Sequence, residues 1–397
     1  MGKFKLYRLL GKVFSFCILV SFIFTIFLAT YPAQITRSDF VSFFAAAEII
    51  KDGKGGELYD FNTQDLYQKE IVSPHSREGF LPFRNPPIFA ALFIPFTFFP
   101  LVVGYKLYAF FLVVVLLFAS YLSTKVYKNL PTFLLPIFFF LYFPVITTIF
   151  WGQTPILFLF LFLCLLKLLK GRNYYWVGVL AGLLSLKLQY LAFMPFLLLL
   201  VKDRKKLLGG FLISIFWVFM GSLLVSGMFS LAKYPSFLIE TEAASFGSRP
   251  WQMISIYYLA LSFPSLASMG KTAILGINAL FYALVLYIFF KQRRKVPLDI
   301  AFSAALLFTI AFSLHVQVHD TSLALIPILG ALNSGFADKT SRSALGPKII
   351  TIILFALPIF LLGTLERGVQ GAALVYLILG LYLLKPTSLI SVTPSDN

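Results

Sequence analysis

Long apolar runs broken by short polar punctuation make up most of this chain, as at residues 110–122, 133–144 and 211–225. No sustained alternation of apolar and polar positions, the mark of a barrel strand, interrupts them. A backbone in lipid must satisfy its own hydrogen bonds, so continuous runs of this kind predict helices. The pattern predicts an all-α polytopic membrane protein of about 12 transmembrane helices, with further helices lying on its outer face.

Basic residues set the direction of each crossing, because Lys and Arg are retained in the cytoplasm. Lys3, Lys5, Arg8 and Lys12 precede the run 13–30, which reads as a retained signal anchor with its N-terminus inside. Residues 31–100 follow as a first outer loop, the acidic part of the protein, with Asp39, Glu48, Asp52, Asp60 and Glu78 among its carboxylates. Its last part, 86–100, is apolar but short and bounded by prolines, and is expected to lie on or re-enter the outer face. Crossings at 102–124, 131–149 and 155–169 lead to Lys167, Lys170 and Arg172 inside. The stretch 174–201 has basic groups beyond both ends and Lys187 and Gln189 near its middle. That predicts a down-and-back pair of half-length helices, a device tolerated where it lines a cavity. Crossing 207–225 leads to a second outer loop, 226–252, and 253–263 is expected on the outer face. Crossings 272–290, 297–312 and 323–335 and the hairpin 349–384, with Glu366 and Arg367 outside, complete a single integral membrane domain over 1–397. The tail 386–397 is polar and expected to be disordered.

Composition agrees with lipid as the solvent, since 59% of the 397 residues are hydrophobic and only 12% are charged. The net charge of +17 does not point to nucleic acid, because the basic residues punctuate apolar runs instead of forming a stripe on a polar surface. They read as topology signals and as contacts to anionic headgroups of membrane lipids. Cys17 and Cys164 sit singly in apolar runs and read as packing residues.

The traced path collects Asp39, Gln153, Lys187, Gln189, His315, His319 and Asp320 on or near one face. An ionisable group at membrane depth costs roughly 2.5 to 3.5 kcal/mol on insertion scales, which makes Lys187 a functional residue unless it snorkels to the interface. Asp39, directly before an apolar helix, reads by itself as a helix cap. His315 and His319 are spaced for one helix face, but no Glu completes a zinc motif, so hydrogen bonding or phosphate binding suits them better than metal.

One order of motifs runs through these residues. An acidic residue follows the first crossing, then come 53–60 ending in Leu58-Tyr59-Asp60, Asn85-Pro86-Pro87, Trp151-Gly152-Gln153, 178–187, and a late His319-Asp320. The order resembles glycosyltransferase family 87, over roughly residues 39–327. The chain differs from the family pattern in three places: Leu188 stands where proline follows the lysine, Asn85 where an aromatic precedes the first proline, and the region after Trp251 matches the family's Asn-x-Ser segment poorly. The resemblance implies a GT-C-type fold in a bacterial plasma membrane, with its active site on the extracytoplasmic face. It implies transfer of a hexose, mannose first, from a polyprenyl-phosphate-linked donor to a lipid or glycan acceptor by inverting displacement. Asp39 would be the catalytic base, and Lys187 and His319 would bind the donor phosphate. Gln153, Gln189, His315 and Asp320 would bind substrate, Asp320 also orienting His319. No cofactor or metal is expected, and a divalent cation is left open. The alternative is a lipid or lipid-linked sugar transporter or flippase, which broken helices and buried charge would also suit.

Overall fold

A computed structural model describes residues 2–76, 79–243, 250–337, 345–362 and 370–385. Glu78, Glu366, Arg367 and the tail 386–397 lie outside the described residues. Within them the protein is helical throughout, with no strand.

Among the described residues, three helices are long and apolar enough to cross a membrane: Leu101–Val126, Arg204–Glu242 and Lys271–Gln292. A fourth span is available if Thr132–Leu141 and Phe143–Phe150, which meet at a 50° bend, act together. Other apolar helices, including Pro155–Lys170, Leu298–Phe312 and Ala372–Leu383, have fewer than 18 residues. At 1.5 Å per residue they fall short of the ~30 Å hydrocarbon core. Length and composition alone therefore give fewer spans than the charge pattern predicts. Proline is the reason for much of the fragmentation. It sits in the first turn of Leu135–Leu141, Phe143–Phe150, Pro155–Lys170 and Met194–Leu200, where the missing N–H costs nothing but the preceding helix cannot continue.

The long helices present large apolar side chains outward, among them Phe110, Phe118, Leu212, Trp217, Leu224, Leu280 and Leu284. So much exposed apolar surface on one chain is what a lipid-facing wall requires. Where the helices meet, small residues bring their backbones together. A Cβ built on Gly178 would stand 2.0 Å from the Leu207 carbonyl oxygen, and one on Gly210 would stand 2.0 Å from that of Tyr175. Gly182 packs in the same way against Ser214. Glycine or serine at four-residue intervals on both partners allows this close crossing.

The stretch expected as the second outer loop is different. Helix continues through Arg204–Ala243, interrupted only at Gly227, whose φ of 72° breaks the axis. The segment beyond the break is held by the first loop. Tyr234 donates to the Arg84 carbonyl at 2.9 Å, and the Tyr59 ring stacks on that of Tyr234 at 4.9 Å. Just before the break, Gly55 lies so close to the Val225 carbonyl that no side chain fits between them.

The first loop contains the helices Phe40–Lys51 and Phe61–Val72 and the short turns Pro87–Ala91 and Ile94–Phe98. An aromatic core fastens it to Leu101–Val126: Phe43 stacks on Phe93 at 4.7 Å, and Phe40 stacks on Tyr108 at 5.2 Å. Gln64 and Gln68 clamp an extended strap beneath it, accepting from Phe83 N–H at 2.9 Å and from Leu81 N–H at 3.2 Å. The strap delivers Arg84 and Asn85 to the interior.

Candidate active site

Asp39 stands one residue before the Phe40–Lys51 helix, yet its side chain makes no capping bond and its backbone is already helical. The cap expected from its position is replaced by a tertiary contact: Gln153 Nε2 donates to Asp39 Oδ2 at 2.7 Å. The Trp151-Gly152-Gln153 turn makes this meeting possible. Gly152 has a φ of 64°, and a Cβ there would lie 2.5 Å from Phe40 Cβ. Only glycine meets both demands. The turn is then fixed from three sides. Asp39 N–H donates to the Trp151 carbonyl at 3.0 Å, Tyr105 Oη to that of Ile149 at 2.6 Å, and Tyr108 Oη to that of Gln153 at 3.0 Å.

Lys187 occupies an extended residue between two 3-10 turns, Leu183–Leu186 and Leu188–Phe193, so the 174–201 stretch is broken at the lysine itself. Asn85 braces the break by donating from Nδ2 to the Leu186 carbonyl at 2.8 Å. Lys187 is 9% exposed, and its Nζ lies 2.5 Å from Asp320 Oδ1. Tyr190 Oη donates to the same oxygen at 2.7 Å, and Gln317 N–H donates to Oδ2 at 3.0 Å. Asp320 sits on the Val318–Ala324 turn between two helices, outside the apolar spans. Burial, the largest single influence, acts to raise its pKa, but the Lys187 ammonium together with the other groups around the carboxylate, the Gln317 N–H among them, outweighs burial and holds the carboxyl below the usual range. The expectation that Asp320 orients His319 meets a different geometry. His319 Nε2 is 3.6 Å from Oδ2, beyond hydrogen-bond distance, while the lysine, the tyrosine and a backbone amide occupy the carboxylate. Burial, the largest influence on His319, lowers its pKa and keeps the imidazole neutral at ordinary pH.

A third group, of which only His315 was expected, gathers around Glu242. Arg84 Nη1 lies 3.0 Å from Glu242 Oε2, Tyr258 Oη donates to Oε1, and His315 Nδ1 lies 3.7 Å from Oε2. Arg84 also donates to the Thr241 carbonyl at 2.7 Å.

All seven residues anticipated from the sequence, together with Arg84, Asn85, Glu242 and Tyr258, line one cavity of about 760 Å³. Among the described residues, its ionised lining consists of three carboxylates, Asp39, Glu242 and Asp320, and three cations, Arg84, Lys187 and Lys271. Part of the wall is apolar, and Leu188, Ile239, Leu275 and Leu314 are exposed as well as lining it. Gln189 presents a buried Nε2 without a hydrogen-bond partner among the described residues. Among the described residues, no three His, Cys, Asp or Glu side chains are grouped to hold a metal ion.

A profile of glycosyltransferase family 87 matches residues 83–314, more than half of the chain. The chain belongs to that family. It is a membrane glycosyltransferase, with a sugar donor and an acceptor as substrates. No curated protein and no solved structure matches it. The family 87 stretch is shorter at both ends than the resemblance read from motifs. It holds Gln153, Lys187, Gln189, Arg84 and Glu242, while Asp39, His315, His319 and Asp320 fall outside it. The fold joins the two sets across the cavity, through Asp39 with Gln153 and through Asp320 with Lys187.

Proposed function

We propose that the protein transfers a hexose, mannose first, from a polyprenyl-phosphate donor to a lipid or glycan acceptor on the non-cytoplasmic face of the membrane. The observation that carries this reading is one cavity bearing an oriented carboxylate, a buried lysine and an apolar wall that reaches the protein surface. An isoprenoid chain fits the exposed apolar wall, and its headgroup fits the polar interior. The fold belonging to this reading is a GT-C-type arrangement of about 12 spans, with consecutive short apolar helices completing crossings in broken pairs.

On this reading the Asp39 carboxylate accepts the proton of an acceptor hydroxyl while the hydroxyl oxygen bonds to the anomeric carbon. The bond from that carbon to the phosphate oxygen breaks on the opposite side, and its electron pair leaves with the lipid phosphate. One displacement inverts the centre. Gln153 fixes Asp39 in orientation. Lys187 has three ammonium hydrogens, and Asp320 and Tyr190 hold it so that those not directed at Asp320 reach the leaving oxygen. A charge held in place beforehand requires no reorganisation as the phosphate develops its own. Gln189 and His319 supply further donors to the phosphate or the sugar, and His315 contacts substrate from the 313–317 stretch.

The test is transfer itself. Protein in nanodiscs is incubated with radiolabelled polyprenyl-phosphate-mannose and a panel of lipid and glycan acceptors. Labelled, anomerically inverted product is expected from at least one acceptor. Absence of any transfer or release across the panel returns the chain to lipid transport.

A further inference from the structure

The Glu242 cluster has no part in the displacement, and its composition suits a ligand unlike a phosphate. We propose that Arg84, Glu242, Tyr258 and His315 form a recognition site for the hydroxyls of an uncharged sugar ring carried by one of the two substrates. The proposal rests on the glycosyltransferase reading and names what this part of the cavity holds.

Four separate elements converge there: the strap before Pro86, the end of Arg204–Ala243, the Ile256–Leu261 helix and the stretch after Leu298–Phe312. A purely structural clasp would bury its carboxylate. The Glu242 side chain is instead 41% exposed, and it lines the cavity although three side chains gather on it. Its charge is matched by Arg84, so the cluster offers a carboxylate acceptor beside guanidinium and imidazole nitrogens at no net charge. A phosphate would meet the Glu242 carboxylate at close range and be repelled. An isoprenoid chain would leave these polar groups without partners. A polyol satisfies both kinds of group, because each hydroxyl donates to the carboxylate or accepts from a nitrogen.

Two details point the same way. Among the described residues, His315 Nδ1 is buried with no hydrogen-bond partner, 3.7 Å from Glu242 Oε2. A hydroxyl set between them would satisfy the ring nitrogen and the carboxylate together. Tyr257 and Tyr258 both line the cavity, their rings edge to face at 5.1 Å, and supply aromatic surface for the apolar face of a sugar ring.

Equilibrium binding of methyl α-mannoside and of inorganic phosphate to the protein in nanodiscs tests the site without requiring turnover. Glu242→Gln is expected to weaken methyl α-mannoside about tenfold or more and to leave phosphate binding no weaker. Tyr258→Phe, which removes a single hydroxyl, serves as the milder variant if Glu242→Gln lowers the thermal denaturation midpoint. Unchanged mannoside binding in both variants overturns the proposal, as does a loss of phosphate binding in Glu242→Gln. In the transfer assay, a raised KM for the acceptor assigns the ring to the acceptor and a raised KM for the donor assigns it to the donor. Neither KM rising overturns the site. A wild-type protein that binds methyl α-mannoside but transfers no label would sink the transferase reading and leave the sugar site standing.

Discussion

Asp39 shows how little a local rule decides once a tertiary partner is present. Its position before a helix favours a cap, and the structure gives its oxygen to Gln153 instead. Asp39→Asn keeps the size and polarity of the side chain but removes the proposed base. Transfer is expected to fall by at least about 10²-fold with donor binding retained. Donor binding by filtration and turnover of the same sample separate the two effects, and near-normal turnover would end the assignment. Lys187 is more entangled, because it both faces the cavity and neutralises Asp320. Lys187→Met is expected to weaken donor binding and also to destabilise the fold by about 3 to 5 kcal/mol, since a buried carboxylate is left unpaired. Adding Asp320→Asn should recover most of that stability without recovering donor affinity. If the double variant binds donor normally, Lys187 serves the fold alone.

Between elements, the contact of Tyr174–Gly182 with Arg204–Ala243 depends on absent side chains. Gly178→Leu would place a side chain where the Leu207 carbonyl already stands, and is expected to cost at least 1 to 3 kcal/mol, roughly the penalty for overpacking. Because the same helix leads into the break at Lys187, activity should fall with stability, which a thermal melt alongside the transfer assay would reveal. The Phe61–Val72 helix is capped by Asp60, whose Oδ1 accepts from Thr63 N–H at 2.9 Å. That bond, and secondarily the nearby Lys233 ammonium, hold the Asp60 carboxyl below its usual range. The stabilisation is therefore complete above the unfolded carboxyl's pKa and is lost as pH falls through the lower folded value. Asp60→Ala is expected to cost about 1 kcal/mol at neutral pH, and its gap from the parent should close in acid. A gap that is independent of pH would mean that the carboxylate is not what caps this helix.

For the molecule as a whole, the proposed orientation predicts which side each surface meets. In a background lacking Cys17 and Cys164, Lys69→Cys is expected to react with an impermeant maleimide from outside intact cells, and Lys205→Cys only after permeabilisation. The reverse pattern would place the cavity on the cytoplasmic face. Much of this architecture could be read from the chain, because apolar runs and basic punctuation are local signals, and so are a lysine and a glutamine in the middle of an apolar stretch. The residues missed were those whose role depends on distant partners. Arg84 meets Glu242 across 158 positions, and Tyr190 meets Asp320 across 130. Neither pairing leaves a periodic trace. The helix beyond Gly227 was missed for a local reason: Pro235, Lys233, Glu240 and Glu242 look like a loop until contacts with the first loop hold them helical. Among the described residues, the cavity's six ionised side chains also sum to zero, which on the proposed reading has consequences for turnover. A donor diester adds one negative charge; the displacement gives the phosphate a second while the acceptor proton cancels that of Asp39. Charge has then moved from one end of a neutral enclosure to the other. When Asp39 returns its proton to water, the enclosure holds a doubly charged lipid phosphate against a described lining with no net charge. On the proposed reading, regenerating the base would thereby favour departure of the spent lipid.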